Sequence, residues 1–199
     1  MAIAFLRPGS ARVSSDRPRF RIWVRQDLAT NSGSPESQFV VVIFRAAQWL
    51  HEWGRPHWLS TFLVRCYRAL TYMILHIELP PDVTIGPGLR IYHPHVIVLN
   101  PGTVIGKNCV LRHMVTIGNT RPMEGRLDCP VLGDDVEIGS GAMILGPLKI
   151  GNGARIGAGA VVVKDVPDNG VVVGNPATLI RIGQPVDDQG GEGLALREP

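Results

Sequence analysis

Aliphatic residues recur every six positions over residues 132–166, and a second apolar residue follows each of them by four positions. The first series comprises Leu132, Ile138, Ile144, Ile150, Ile156 and Val162. The second series comprises Val136, Ala142, Leu148, Ala154, Ala160 and Val166. An α-helix repeats every ~3.6 residues and an ordinary strand every second residue, so neither element produces a strict period of six. The pattern predicts a mainly β protein built as a left-handed parallel β-helix, in which each hexapeptide forms one flat side of a triangular coil.

The same period continues towards the N-terminus with one short interruption. The first series there comprises Ile85, Ile91, Leu99, Ile105, Leu111 and Ile117, and the second includes Cys109 and Val115. Leu99 comes two residues later than the period requires, so we expect a two-residue insertion in the first coil. Glycine directly follows four of the later units, at Gly133, Gly139, Gly151 and Gly157, where its small size eases a corner. Stacked coils would bury one continuous aliphatic column.

A longer interruption separates Ile117 from Leu132, which lie fifteen residues apart rather than six. The spacing indicates that about nine extra residues leave the coil here. We place an excursion loop at residues 118–131, within a β-helix domain that spans residues 78–182. Loops that leave a repeat scaffold often shape its binding face.

Residues 22–77 are predicted to form a helical region. Helical spacing of apolar residues indicates a short helix over residues 20–28 and longer helices over residues 36–53 and 57–77. Two arginines interrupt the last stretch, which argues against a transmembrane span. We expect the helices to pack on one end of the coil and on their trimer mates, with peripheral contact to a membrane surface as the alternative.

The two ends of the chain lack this periodicity. Residues 1–21 are rich in arginine and are expected to form a flexible basic arm. Residues 171–182 are predicted to form one terminal strand that closes the stack. Residues 183–199 are rich in glycine and acidic residues and are expected to form a disordered tail.

Charge and cysteine content exclude several classes of function. The 199-residue chain has a net charge of +3, which is too small to indicate nucleic acid binding. Cys66, Cys109 and Cys129 form no CxxC pair, so neither a disulfide framework nor a metal site follows from them. A reducing cytoplasm fits this usage, and we expect a cytoplasmic protein, alternatively one held at the inner face of the cytoplasmic membrane.

Three segments resemble a known family. The stretch GxGAxIGAGAVVVKDVPDNGVVVGNPA, over residues 151–177, resembles the closing coils of hexapeptide-repeat acetyltransferases. His93 in IYHP, with VTIGN at residues 115–119, resembles the serine acetyltransferase branch. The exopolysaccharide O-acetyltransferases of the colanic-acid type are more similar still, since they share the two N-terminal helices and a glutamate before the first coil. The resemblance implies a homotrimer that transfers an acetyl group from acetyl-CoA.

The resemblance also implies the catalytic residues. The family's general base falls on His93, and the acidic residue that orients it falls on Glu78. His113 is a further candidate, for contact with the acceptor or with the acyl oxygen, or a purely structural residue. In such a trimer, His93 of one chain is expected to approach His113 or Cys129 of the next.

The chain departs from serine acetyltransferases beside the base. Tyr92 stands where the family has an aspartate that contacts serine, and Cys129 stands where it has a second active-site histidine before a proline. Both are candidate substrate-binding residues, and their identity should weaken the binding of serine. We therefore expect a saccharide hydroxyl as the acceptor, in an exopolysaccharide or its lipid-linked precursor, with serine as the alternative.

The residue types fit the chemistry of acyl transfer. An alcohol is a weak nucleophile at neutral pH, and histidine, with an ordinary pKa of about 6.5, offers a neutral base to remove its proton. A carboxylate on the other ring nitrogen would fix the tautomer and stabilise the imidazolium. This is the role expected of Glu78.

The donor is implied by the resemblance to be acetyl-CoA, with no metal involved. Its pantetheine arm is expected to meet Gly118, Asn119, Ser140 and Ala158, and its phosphates are expected to meet Arg155 and Lys164. Two other functions remain as alternatives. A zinc enzyme on the same coil needs an HxxxxH pair that His93, His95 and His113 do not supply. A non-catalytic trimeric scaffold is the other, because a fold does not establish an activity.

Overall fold

The computed structural model describes residues 17–52, 58–120 and 129–183. Within these residues, three helices precede fourteen strands. The helices are α1 (Arg17–Thr30), α2 (Pro35–Glu52) and α3 (Trp58–Leu75). The strands are β1 (Thr84–Ile85), β2 (Arg90–Tyr92), β3 (Val98–Leu99), β4 (Val104–Ile105), β5 (Val110–Arg112), β6 (Thr116–Gly118), β7 (Val131–Leu132), β8 (Glu137–Ile138), β9 (Met143–Leu145), β10 (Lys149–Ile150), β11 (Arg155–Ile156), β12 (Val161–Val162), β13 (Gly170–Val173) and β14 (Thr178–Ile182). The basic arm up to residue 16, most of the excursion loop and the tail from residue 184 lie outside the described residues.

The strands form three sheets, and each coil contributes one strand to each sheet. The first sheet has the order β1-β4-β7-β10, and the third has the order β3-β6-β9-β12. The second sheet has the order β2-β5-β8-β11-β13-β14. All pairings along the coils are parallel. The chain is thus a left-handed parallel β-helix of about four coils behind a helical region, which confirms the predicted fold.

The core is the aliphatic column that the six-residue period predicted. Every residue of the two predicted apolar series is at most 9 % exposed. Side chains from all three sheets meet along the axis, and the second series is narrower, with alanine at three of its positions. Burying a leucine or isoleucine side chain contributes roughly 1.5–3 kcal/mol. The repeated column is therefore the main source of stability in the coil domain.

The register of the strand pairs shows where both interruptions of the six-residue period lie. Arg90 pairs with Val110, twenty residues on, whereas Val98 pairs with Thr116, eighteen residues on. The predicted two-residue insertion therefore lies between β2 and β3. Val104 pairs with Val131, nine residues beyond the usual offset of eighteen, which confirms the length predicted for the excursion.

A buried polar cluster joins α1 and α2 to the open edge of the first coil. Asp27 of α1 accepts hydrogen bonds from the backbone N–H groups of Gly88 and Leu89. The side chain of Asn31 pairs with the same edge, since it donates to the carbonyl of Leu89 at 2.7 Å and accepts from the N–H of Ile91 at 3.0 Å. An uncovered strand edge invites pairing with another chain. These helices instead satisfy the edge with their own side chains.

Arg45 of α2 connects this cluster internally. Its guanidinium donates to Asp27 at 2.7 Å, to Gln48 at 2.8 Å and to the carbonyls of Ile85 at 2.8 Å and Gly86 at 2.6 Å. Removal from water raises the pKa of the Asp27 carboxyl, and the nearby Arg45 charge opposes that rise. A buried charge is tolerated only when it is paired and hydrogen-bonded. Here one arginine meets four oxygens.

Two element boundaries differ from those predicted. Helix α1 begins at Arg17, three residues before the expected start, because Pro18 suits a first helical turn in which its missing N–H costs nothing. The predicted terminal strand over residues 171–182 is two antiparallel strands, β13 and β14. The chain reverses between them at Gly174, whose φ of 95° lies in the left-handed region. Strand β14 is therefore the exposed outermost strand at this end of the second sheet.

Helix α3 is attached through few side chains. Tyr67 and Thr71 are buried, and the Tyr67 hydroxyl donates to the carbonyl of Leu79 at 2.7 Å. Several large apolar side chains of α3 are exposed in the single chain, among them Trp58, Phe62 and Met73. Among the described residues, no helix combines the length and the hydropathy that crossing a bilayer requires.

Candidate active site

The inserted residues place His93 at a corner of the first coil. The corner between the second and third sheets, here called the histidine corner, consists of residues 93–97, 113–115, 140–142 and 158–160 in successive coils. At this corner the backbone N–H of Met114 donates a hydrogen bond to the carbonyl of His95, at 3.0 Å. His93 and Pro94 are therefore the extra residues. The φ of His93 is 53°, a conformation that is uncommon outside glycine and that concentrates at functional sites.

His93 and His113 lie side by side in one chain. Tyr92 and Arg112 are register partners, so the residues that follow them meet at the corner. The two imidazole rings are 5.8 Å apart between centroids and nearly perpendicular, at 75°. His93 is exposed and His113 is half-buried. The sequence predicted that such a pair would form between neighbouring chains, whereas this contact forms within a single chain.

His113 carries an unusual unpaired atom. Its Nδ1 is buried and has no hydrogen-bond partner among the described residues. Buried polar atoms nearly always have a partner, so each exception calls for an explanation. A polar ligand beside His93 is one partner that would satisfy it.

Glu78 extends the third sheet before the first coil is complete. It forms an isolated parallel bridge with Val98 of β3. Its neighbours Ile77 and Leu79 are buried, whereas Glu78 is exposed, so its side chain lies on the outer face. The carboxylate makes no hydrogen bond to His93 in this chain, and its role as the orienting acid stays a prediction.

A cavity of about 480 Å³ lies between α3 and the first coil, and Glu78 is part of its wall. Helix α3 contributes Arg68, Tyr72 and Met73 to this wall, and β3 contributes Leu99. The predicted acidic residue thus faces a space large enough for part of a small molecule.

Tyr92 lies beside two arginines on the outer face of the second sheet. The guanidinium carbon of Arg90 is 4.5 Å from the ring centroid, and that of Arg112 is 4.9 Å from it. Arg90 precedes Tyr92 by two residues on β2, so their side chains share a face, and Arg112 is the register partner of Tyr92 on β5. Cations within about 6 Å of an aromatic ring are attracted to its face. The substrate-binding candidate Tyr92 is therefore part of a cationic surface.

Cys129 lies away from the histidine corner in the single chain. It is buried, and its Sγ donates to Oδ1 of Asn100 at 3.1 Å. Asn100 directly follows β3, whereas His93 precedes that strand. Asn100 also donates to Asn119 at 3.0 Å. The structure thus places Cys129 at the opposite end of the third sheet's strands from His93.

The six donor-binding candidates fall into three places. Ser140 and Ala158 stack on His113 at the histidine corner, where the Ser140 carbonyl accepts a bond from the N–H of Gly159 at 2.8 Å. Gly118 ends β6, Asn119 follows it, and Lys164 lies shortly after β12, all at the far end of the third sheet's strands. Arg155 opens β11 on the second sheet.

A contact between a groove and a pantetheine arm needs exposed backbone and little side-chain bulk. Ala158 is exposed, Gly118 is half-buried, and a Cβ on Gly118 would meet only the Asn100 Cβ at 3.8 Å. Lys164 is an exposed cation at the same strand ends. These residues fit an acyl-CoA donor laid along the third sheet. Arg155 lies on the neighbouring sheet, apart from the strand-end candidates.

The described residues contain no group of three or more histidine, cysteine, aspartate or glutamate side chains placed to hold a metal ion.

Cys109 is expected to resist thiol reagents in the folded protein. Burial raises the pKa of its thiol to about 12, and the Sγ donates to the carbonyl of Gly133 at 3.3 Å. Because the thiolate is the reactive form, raising the pH from 7 to 9 should leave Cys109 unlabelled by iodoacetamide. Peptide mass spectrometry before and after denaturation checks this, with the exposed Cys66 as the comparison. Labelling of native Cys109 as fast as Cys66 would contradict its burial in the coil.

Known proteins share both the repeat and the whole arrangement. Residues 129–164 match the family described as bacterial transferase hexapeptide (six repeats). The putative colanic acid biosynthesis acetyltransferase WcaB of Escherichia coli K12 is 36% identical over 159 residues, which cover 77% of this chain and 96% of that protein. The chain therefore belongs to the hexapeptide-repeat acetyltransferases, in their serine acetyltransferase-like branch, and it is an acetyltransferase.

The relatives of this chain also include proteins whose names give serine as the acceptor. The serine acetyltransferase of Mycobacterium tuberculosis is 38% identical over 139 residues, which cover 67% of this chain and 60% of that protein. The soybean serine acetyltransferase apoenzyme superposes with a TM-score of 0.71 at 32% identity, over 83% of this chain and 71% of that one. Family membership implies an acyl-CoA donor. The acceptor does not follow from family membership.

Sequence reasoning missed the two arginines beside Tyr92. Their signal was present, because Arg90 and Tyr92 alternate on one strand and Arg112 follows Tyr92 by twenty residues. A regular coil has eighteen residues, and this offset is longer by the two inserted residues. Only the position of the insertion, before Val98 rather than before Arg90, brings Arg112 opposite Tyr92.

Proposed function

We propose that this protein is an acetyl-CoA-dependent O-acetyltransferase that acts on a hydroxyl group of a saccharide, in an exopolysaccharide or its lipid-linked precursor. The observation that carries this proposal is the position of Tyr92, which directly precedes His93 and lies beside two guanidinium groups. A serine acceptor brings an ammonium group that needs an anionic or hydrogen-bonding partner once it leaves water. A phenol ring beside two cations offers no anion there. The guanidinium N–H groups around the ring can donate to the oxygens of a sugar.

His93 is the proposed general base. Its side chain is exposed on the inserted turn, so an acceptor hydroxyl can reach it. The imidazole removes the hydroxyl proton as the oxygen attacks, and then returns a proton to the departing thiol. General base catalysis of this kind typically contributes 10²–10⁴-fold.

His113 and Glu78 are the proposed supporting groups. His113 lies 5.8 Å from His93 between ring centroids, and a protonated Nδ1 there would donate to the acceptor or to the acyl oxygen. Glu78 lies on the outer face of the third sheet, next to the strand that follows His93. A carboxylate that reaches the second imidazole nitrogen of His93 would hold its tautomer.

Acetyl-CoA supplies an activated acetyl group as a thioester. Gly118, Asn119, Ser140 and Ala158 are the proposed contacts of the pantetheine arm, because they border the third sheet on both sides. Lys164 and Arg155 are the proposed phosphate partners, through charge-assisted hydrogen bonds.

A homotrimer is proposed as the working assembly. The family supports it, and the exposed apolar side chains of α3 fit packing against a second copy. In that assembly, Cys129 of one chain would line the site that His93 of its neighbour occupies. Peripheral membrane contact through the same helix is the alternative use of these side chains.

Serine is the second candidate acceptor. The soybean serine acetyltransferase complexed with serine superposes on this chain with a TM-score of 0.71 at 32% identity. That likeness favours a pocket of similar placement for a small acceptor.

The two acceptors are separated by offering them in parallel. Purified protein and acetyl-CoA are incubated with L-serine, neutral and acidic oligosaccharides, and a polyprenyl-diphosphate-linked disaccharide, and the release of free thiol is followed. Saccharide-dependent release at a kcat/KM well above that with serine supports the proposal. Turnover with serine alone would show that Tyr92 does not exclude it.

A further inference from the structure

Two cations next to the proposed base, Arg90 and Arg112, have no anionic partner among the described residues. The ion pairs of Arg45 with Asp27 and of Arg68 with Asp82 do not involve them. Neither Arg90 nor Arg112 donates a side-chain hydrogen bond there. Their guanidinium carbons lie 4.5 Å and 4.9 Å from the Tyr92 ring centroid, and a guanidinium that stacks on an aromatic ring keeps N–H donors at its edge.

Glu137 is the acid on the same outer row of the second sheet. It is opposite Val110, the register partner of Arg90, so an aliphatic residue separates it from Arg90. It lies diagonally from Arg112 on the neighbouring strand, and the ion pairs of the described residues do not join these two side chains. Two like charges on one ring repel each other, and an anion between their free edges relieves that repulsion.

We propose that Arg90 and Arg112 bind an anionic group of the acceptor beside His93. The chemistry recognised is a carboxylate or phosphate oxygen pair, carried either by an acidic sugar or by the diphosphate of a lipid-linked saccharide. This inference rests on the proposed function, since it names the class of saccharide. Arginine forks suit such groups because two parallel N–H donors match two oxygens.

The arginines lie beside the residue that is proposed to act on the acceptor. Arg90 opens β2 two residues before Tyr92, Arg112 ends β5, and both strands lead into the histidine corner. Of the donor candidates, Gly118, Asn119 and Lys164 lie at the far end of the third sheet's strands. Ser140 and Ala158 lie at the histidine corner, and Arg155 lies on the second sheet, so KM for acetyl-CoA must be measured beside KM for the acceptor.

The test compares matched acceptors and matched variants. The acceptors are an oligosaccharide that contains glucuronate, the same oligosaccharide with its carboxylates reduced to hydroxyls, and a polyprenyl-diphosphate-linked neutral disaccharide. The variants are Arg90→Gln, Arg112→Gln and, as the control, Arg181→Gln, an exposed arginine on β14 of the same sheet. Thiol release gives KM for each acceptor and for acetyl-CoA, and size-exclusion chromatography gives the oligomeric state.

The expected result is a selective loss of acceptor binding. Loss of one charged hydrogen-bonding partner typically costs about 10- to 100-fold, so KM for an anionic acceptor should rise by that factor in Arg90→Gln and Arg112→Gln. KM for acetyl-CoA and for the carboxylate-reduced acceptor should stay unchanged, and Arg181→Gln should match the parent protein. Preference for the glucuronate acceptor or for the diphosphate acceptor identifies the source of the anion.

Three results would overturn the proposal. A rise in KM for acetyl-CoA would make the arginines part of the donor site. Dissociation of the oligomer would make them a contact between copies of the chain. Equal kinetics for all variants would leave them without a role in binding.

Failure of the proposed function gives a different outcome. If serine alone is acetylated and Arg112→Gln raises its KM, the anion site stands and the saccharide assignment falls. If a neutral saccharide is acetylated equally well by every variant, the saccharide assignment stands and the anion site falls. If nothing is turned over, calorimetric binding of the glucuronate oligosaccharide decides: binding that the two variants lose supports the site, and no such binding refutes it.

Discussion

Replacement of His93 by alanine is expected to lower kcat for acetyl transfer by about 10²–10⁴-fold, because the acceptor hydroxyl loses the group that removes its proton. The effect should fall on kcat rather than on KM for acetyl-CoA, since His93 acts on the acceptor side. Thiol release at saturating donor measures it. Fold should be preserved, because the His93 side chain is exposed at an inserted turn.

His95→Ala is the matched control for this experiment. His95 lies two residues away at the same corner, is also exposed, and its backbone carbonyl rather than its ring continues the ladder to Met114. Its removal is expected to change kcat by less than about threefold, since an exposed side chain without a partner contributes little. Equal losses of kcat in both variants would show that activity depends on the histidine corner as a whole rather than on the His93 imidazole. Full activity of the His93→Ala protein would show that His93 is not the general base.

Replacement of Arg45 by alanine is expected to destabilise the fold by about 3–5 kcal/mol, since it leaves the Asp27 carboxylate buried without its counter-charge. Four oxygens lose their donor at once: those of Asp27, Gln48, Ile85 and Gly86. For a chain of this size, the midpoint of thermal unfolding should fall by roughly 10 °C. Protein concentration must be held fixed, because subunit association adds to apparent stability.

Arg68→Ala is the control for the Arg45 experiment. Its guanidinium lies 3.8 Å from the Asp82 carboxylate with 58% of the side chain exposed, so its loss should cost less than about 1 kcal/mol. Should Arg45→Ala fail to fold, Arg45→Lys can replace it, because lysine keeps a charge but cannot contact all four oxygens. Its midpoint of thermal unfolding should lie between those of Arg45→Ala and Arg68→Ala. An unfolding midpoint for Arg45→Ala equal to that of Arg68→Ala would contradict the account of the helix–coil junction.

The coil was predictable because one local rule repeats. Each hexapeptide must turn one aliphatic residue inward, so the period alone gives the strands, the core and the length of the excursion. The helix–coil junction was not predictable, because Asp27 and Gly88 lie sixty-one residues apart and no local pattern links them. Arg45 is 2 % exposed, and the apolar pattern of its helix gives no reason to bury a charged side chain there.

The site was predictable only in part. His93 and Glu78 came from the resemblance to a family, and His113 was a further candidate from its position in the coil. The structure brings the two histidines together through strand register. The pairing of Tyr92 with both arginines depends on which side of β2 the two inserted residues fall. Periodicity counts the extra residues but does not place them. Residues that meet across chains, such as the expected approach of Cys129 to His93, depend on an assembly that one chain's pattern does not encode.

In the proposed reaction the acetyl group leaves acetyl-CoA for an oxygen of a saccharide. This is tested most directly by NMR of the product formed from acetyl-CoA labelled with carbon-13 in its acetyl group and the acceptor that releases the most thiol. We predict a labelled acetyl ester on one sugar hydroxyl, removed by mild base and absent with His93→Ala. A labelled acetyl group found on a sugar amine, or found only on serine, would contradict it.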